Sequence, residues 1–139
     1  MNKKSLAGLI SGALMLSGAF AGTALAHEDN NDTAKSSIGM AYKARKGKFV
    51  GQVSSGTAKC LAGRKVGVFK ARTGAKVGTT RTNDNGGWSV GGIKKNSGKY
   101  YSKVSAETYV LDSESDKYGE LLWEHTLTCT GAKSDNEGT

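Results

Sequence analysis

The 139-residue chain contains no proline. Without proline there is no stiff polyproline spacer, so rigid linkers between modules are excluded. Histidine is scarce, at two residues, which leaves only His27 and His125 to serve as the base of a nucleophile–base pair. No G-x-S-x-G, H-E-x-x-H or phosphate-loop pattern occurs anywhere, so the signatures of esterases, zinc proteases and nucleotide hydrolases are all missing. Beyond residue 26, no apolar run approaches the ~20 residues of a membrane-spanning helix. The two cysteines, Cys60 and Cys129, show no C-x-x-C spacing, which argues against a zinc site. Acid is also missing from the middle of the chain. From Lys35 to Lys103 there are 16 Lys and Arg and a single acid, Asp84.

What is present begins with a leader. Asn2-Lys3-Lys4 give a positive start, Leu6 to Phe20 form a mostly apolar run, and Ala24-Leu25-Ala26 supplies a small-x-small cleavage site. This pattern predicts a signal peptide over residues 1–26 and export to the periplasm or the extracellular space. No cysteine follows the run, so lipid attachment is not expected. The exported chain, residues 27–139, is long enough for one small domain. In an oxidising compartment Cys60 and Cys129 are expected to pair. A crosslink closing so long a loop stabilises by about 4 kcal/mol in the chain-entropy picture.

Charge is distributed unevenly. After residue 103 there are two basic residues, Lys117 and Lys133, against eight acids. The basic stretch suits an anionic partner such as a cell-envelope polymer, an acidic polysaccharide, a lipid headgroup or extracellular nucleic acid. No nucleic-acid-binding motif supports the last of these, so nucleic acid is the least expected partner. The competing reading is a solvated surface that keeps an exported domain soluble.

Residues 27–46 are polar, lack apolar periodicity, and are expected to form a flexible leader. Residues 133–139 are expected to be a disordered tail. Between them, residues 47–132 read as strands. "KFVGQVS", "RKVGVFK", "KVGTTRT" and "WSV" are short and alternating, "GKYYSKVSAETYVL" is long and rich in β-formers, and "ELLWEHTLTCT" alternates with Leu121, Trp123, His125, Leu127 and Cys129 on its inward face. An acidic loop, "DSESDKYGE", separates the last two. Short strands between Gly, Asn and Asp turns predict an all-β domain, an antiparallel sandwich or small barrel. In "TNDNGGW", Asn85-Gly86-Gly87 is expected to form a hairpin turn and Trp88 to enter the core. A calcium loop there would need more carboxylates than Asp84 alone.

The segment "CLAGRKVGVFKARTGAKVGTTRTNDNGGWSV", followed by "GKYYSKV" and a late Cys129, resembles the carboxypeptidase-regulatory-like, or transthyretin-like (prealbumin-like), β-sandwich domains of secreted bacterial proteins. The resemblance spans roughly residues 49–134. It rests on turns and core positions, and it implies an antiparallel Greek-key sandwich in an accessory or adhesive role. The chain departs from the pattern in the acidic stretch from Glu107 to Glu124, so no binding surface carries over there, and the fold alone fixes no function.

Three functional classes follow. The expected one is a non-catalytic interaction module without a cofactor, with Lys94, Lys95, Lys99 and Lys103 as a patch for an anionic surface and Trp88, Tyr100, Tyr101, Tyr109 and Tyr118 as candidate aromatic platforms. The second is a periplasmic copper protein, in which His27, as the first residue after cleavage, chelates Cu(II) with its amine and imidazole and His125 completes the set. The third, a small hydrolase, would need a carboxylate pair between Asp112 and Glu124.

Overall fold

The computed structural model describes residues 30–139; the expected signal peptide and His27 lie outside the described residues. The described chain forms β1 (Asn30–Ala34), β2 (Ser36–Lys43), β3 (Lys48–Ser55), β4 (Lys65–Lys70), β5 (Lys76–Arg81), β6 (Gly87–Val90), β7 (Lys99–Val104), β8 (Glu107–Ser115), β9 (Leu121–Cys129), β10 (Ala132–Lys133) and β11 (Glu137–Gly138). A single turn of 3-10 helix, Ala58–Cys60, precedes β4, and no α-helix occurs among the described residues. No helix there is long and apolar enough to cross a membrane. The chain divides into a larger compact unit, residues 31–111 with 126–139, and a smaller one that includes residues 112–125.

In the larger unit one sheet has the order β2-β3-β6 and another the order β10-β7-β4-β5, with β11 also on β7. These neighbours pair antiparallel. A third sheet, β1-β9-β8, completes the all-β architecture. The period-two pattern places the core. Val66 and Val68 on β4, and Tyr100 and Val104 on β7, are buried against Ile38, Phe49, Val53, Trp88 and Val90 of the β2-β3-β6 sheet. Phe49 lies at the centre, fully buried, its ring 5.1 Å from Tyr42 and 5.3 Å from Tyr100. Ile93, from the segment joining β6 to β7, also enters the core. Cys60 and Cys129 are joined, with Cα atoms 5.5 Å apart, as expected. With Leu127 they form a satellite cluster against Ala34 and Tyr109.

Several expectations need correction. Residues 30–43 are not a flexible leader but carry β1 and β2. Polar side chains mask the signal, yet β2 pairs with β3 from Ser36↔Ser55 to Lys43↔Lys48 and buries Ile38. The tail is likewise ordered, because β10 and β11 satisfy the backbone groups of β7, from Val104 to Lys99. The long strand after Gly98 breaks at Ser105–Ala106, where β7 ends in one sheet and β8 begins in another. Asn83–Gly87 is a tight turn, with Gly86 at φ 88° and the Asn83 side chain accepting from the backbone N–H of Asn85 and Gly87, each at 2.9 Å. It is not a hairpin, because β5 and β6, which it connects, belong to different sheets. Trp88 is buried as expected, at 6 % exposure.

In the smaller unit Asp116 organises a turn. Its Oδ1 accepts from the N–H of Tyr118 at 2.9 Å and of Glu120 at 2.8 Å, and Gly119 takes φ 87°. Trp123 is half-buried rather than in the core, and its indole N–H donates to Glu114 at 2.8 Å. The inward face expected of β9 therefore holds only at its end. Leu127 and Cys129 are buried, whereas Leu121 is 56 % exposed.

Candidate functional site

Strand registers bring three loops to one end of the larger unit. In the first sheet the β2–β3 turn closes at Lys43↔Lys48, and the end of β6 is adjacent through Phe49↔Val90. In the second sheet the β4–β5 turn closes at Phe69↔Lys76, and the start of β7 is adjacent through Lys70↔Tyr100. The segment 91–98 runs from β6 to β7 and ties the two turns together. Ile93 N–H donates to Gly47 O at 2.9 Å and Tyr42 OH to Ile93 O at 2.7 Å. On the other side, Ala71 N–H donates to Lys99 O at 2.9 Å.

Each loop is cationic. The first carries Lys43, Arg45, Lys46 and Lys48; the second Lys70, Arg72 and Lys76; the third Lys94, Lys95 and Lys99. Residues 43–48, 70–76 and 91–99 include no Asp or Glu. Glu137 of β11 stands half-buried opposite Tyr100, and Thr139, the last residue, is bonded to the third loop, its N–H donating to Gly98 O at 3.1 Å and its hydroxyl accepting from Ser97 N–H at 2.8 Å. Two clefts open here. One, of about 440 Å³, is lined by Lys70, Arg72 and Lys99 with Thr73 and Ser97. The other, of about 450 Å³, is lined by Lys43, Arg45, Lys46 and Lys48 around Tyr42 and Val50. Like charges this close repel one another, and an anion seated among them relieves that repulsion while accepting hydrogen bonds from ammonium, guanidinium and hydroxyl donors.

The opposite end treats a cation differently. Arg64, immediately before β4, is fully buried. Its Nη1 donates to Cys60 O at 2.7 Å and Ser36 Oγ at 3.0 Å, and its Nη2 to Ser105 O and Thr130 O, both at 2.9 Å. The guanidinium thus gathers the 3-10 turn beside the disulfide, the β7–β8 break and the exit of β9. Its Nε lies 3.8 Å from Glu107. Glu107 also accepts from Tyr109 OH at 2.6 Å and lies 3.6 Å from Arg81. Burial first, then the hydrogen bond to the Glu107 carboxylate and its charge, push the Tyr109 phenol above its ordinary pKa, while Arg64 and Arg81 oppose the shift. Fixed donors matched to fixed backbone acceptors make this a structural staple rather than an open site.

The expected residues fall on both sides of this division. Lys94, Lys95 and Lys99 sit at the cationic end; Lys103 lies on the outer face of β7 instead. The cations of residues 43–48 and 70–76 had no place in the expected patch, because only strand register joins them to it. Their signal was the near-absence of acid from the whole basic stretch. Of the aromatic candidates, Trp88 and Tyr100 are core, Tyr109 is bound to Glu107, Tyr101 is half-buried, and Tyr118 is 83 % exposed. His125 is half-buried in β9, and His27, the other half of the expected copper pair, lies outside the described residues. No group of three or more His, Cys, Asp or Glu suited to a metal ion occurs among the described residues.

No family model, no curated protein and no solved structure matches the chain.

Proposed function

We propose that this chain is an exported, non-catalytic interaction module that binds anionic polymers of the cell envelope or its surroundings through its cationic loop end. The observation that carries the reading is the convergence of three loops, all basic and none acidic, on one end of the larger unit. Charge asymmetry along a sequence does not argue for a site; charge brought together by strand register around two clefts supports one. The reading takes the fold as a Greek-key sandwich of the transthyretin-like type, supported by two antiparallel sheets sharing one core and by the sequence resemblance. Export is supported by the leader pattern and by the disulfide, which suits an oxidising compartment.

The test is retention of the chain from residue 27 on immobilised dextran sulfate. Wild-type protein is expected to bind at low salt and to elute as salt rises. The triple variant Lys46→Gln, Arg72→Gln, Lys95→Gln, one substitution per loop, is expected to elute at markedly lower salt. A wild-type chain that passes through unretained at low ionic strength defeats the proposal.

A further inference from the structure

The outer face of the β4-β5-β7 sheet combines rings and cations. Antiparallel register puts Gly67 opposite Thr79 and Lys103, and Phe69 opposite Lys76 and Tyr101, so these side chains share one face. It is the face turned away from the core, since Val66, Val68, Ser102 and Val104 occupy the other. The Phe69 ring lies back across Gly67. A Cβ there would come within 3.0 Å of the ring, so only glycine leaves the ring this low. Tyr101 stacks beside it, with centroids 5.3 Å apart and planes inclined by 15°. Both rings are half-buried, and three ammonium groups surround them. Lys76 and Lys103 are each 5.7 Å from the Phe69 centroid, and Lys133, on β10, is 4.4 Å from that of Tyr101.

The polar groups of this face are almost all donors. Strands β4, β5 and β7 place no Asp, Glu, Asn or Gln on it. The acids that border it are Glu107, 3.6 Å from Arg81 at the far end of the same face, and Asp135, in the segment between β10 and β11. This chemistry selects among ligands. Sugar hydroxyls need acceptors as well as donors, and a face of ammonium groups offers few. A phosphodiester strand presents acceptors to the ammonium groups and flat bases to the rings. When an ammonium group moves from a ring face to a phosphate, it frees that face for a base. Rings interleaved with cations on an open sheet are the physical basis of sequence-tolerant single-strand binding.

We infer that the outer face of β4, β5 and β7 binds single-stranded nucleic acid without sequence preference, bases stacking on Phe69 and Tyr101 and phosphates meeting Lys76, Lys103 and Lys133. This rests on the reading that the chain binds polyanions, and it adds a stacking contribution that charge alone does not supply. Without base-edge readers such as Asn or Gln on the face, no sequence discrimination is expected.

The test uses fluorescence anisotropy with the chain from residue 27 and three probes: labelled oligothymidylate, an abasic oligonucleotide of equal length, and dextran sulfate as competitor. Oligothymidylate is expected to bind about tenfold tighter than the abasic strand, the order of one stacked base. Tyr101→Leu and Phe69→Leu, checked for folding by near-ultraviolet circular dichroism, are expected to remove that preference while leaving dextran sulfate binding unchanged. Lys46→Gln with Lys95→Gln should weaken all three probes together and preserve the preference. Equal binding of thymidylate and abasic strands overturns the inference, and does so in wild-type protein even where a leucine variant fails to fold. Tighter binding of dextran sulfate than of oligothymidylate overturns it in favour of a sulfated or carboxylated polysaccharide. In either case, continued weakening by the loop substitutions leaves the loop-end reading standing.

Discussion

The two ends of the larger unit use the same residue types for opposite purposes. At one end Arg64 is withdrawn from water and its Nη groups are committed to three backbone carbonyls and a hydroxyl. At the other, the cations of three loops stand around open clefts with no carboxylate in their segments. The difference shows that charge counts do not separate structure from function. What separates them is whether the fold supplies each cation with a partner. A guanidinium with fixed internal acceptors holds the chain together, whereas cations on loops without a carboxylate repel one another, a repulsion that the proposed anionic partner would relieve.

Breaking the locked end should give the largest effect. Arg64→Ala removes the donors of the Cys60, Ser105 and Thr130 carbonyls and leaves a hole where the side chain lay. Urea denaturation is expected to show a loss of about 3–5 kcal/mol. Dextran sulfate affinity, measured where the variant remains folded, should stay at the wild-type value, because Arg64 has no access to solvent. Replacing both Cys60 and Cys129 by alanine should cost about 2–4 kcal/mol and also leave binding intact. A binding defect in either folded variant would erase the distinction between the ends.

The open end should respond in the reverse way. Lys46→Gln, Arg72→Gln and Lys95→Gln together are expected to shift stability by no more than about 0.5 kcal/mol per site, upward where repulsion is relieved. Arg81 is a finer probe, since it belongs to the locked end but is 64 % exposed and meets Glu107 in solvent. Arg81→Gln should cost about 0–1 kcal/mol, and less as salt rises. Tyr109 gives the smallest effect. Its raised pKa means that the folded state favours the protonated phenol. The corresponding stability is fully present below the unfolded value near 10 and is lost as pH climbs from there through the folded value. Tyr109→Phe should therefore flatten the fall in stability above about pH 10, and at neutral pH should cost only the hydrogen bond to Glu107, about 0.5 kcal/mol.

Much of the fold is legible in the residues themselves. The alternation of Val66 with Val68, and of Tyr100, Ser102 and Val104, marks buried faces because strand side chains point alternately to opposite sides. Trp88 follows a turn that only small, turn-forming residues make. Local pattern fails where partners are remote. Ser36 to Lys43 looks like a polar leader, yet it is a strand because β3 satisfies its backbone. The same holds for the short β10 and β11. Arg64 reads as one more basic residue in a basic stretch, since nothing local reveals that Cys60, Ser105 and Thr130 converge on it. The cationic end is half-legible. Lys94, Lys95 and Lys99 are close in sequence, whereas Arg45 and Arg72 join them only through the register of two sheets.

The central claim is that placement, not net charge, makes the binding surface. It is tested most directly by two triple variants of equal charge. One carries Lys46→Gln, Arg72→Gln and Lys95→Gln; the other carries Lys35→Gln, Lys59→Gln and Lys117→Gln, all exposed and outside the three loops. Dextran sulfate binding is measured for both from about 50 to 200 mM salt, and log K is plotted against log salt. The account predicts that the loop variant loses affinity and that its slope shrinks by about one unit per removed contact. The control variant should keep the wild-type slope. Equal weakening of the two variants would contradict the account and reduce the surface to bulk charge.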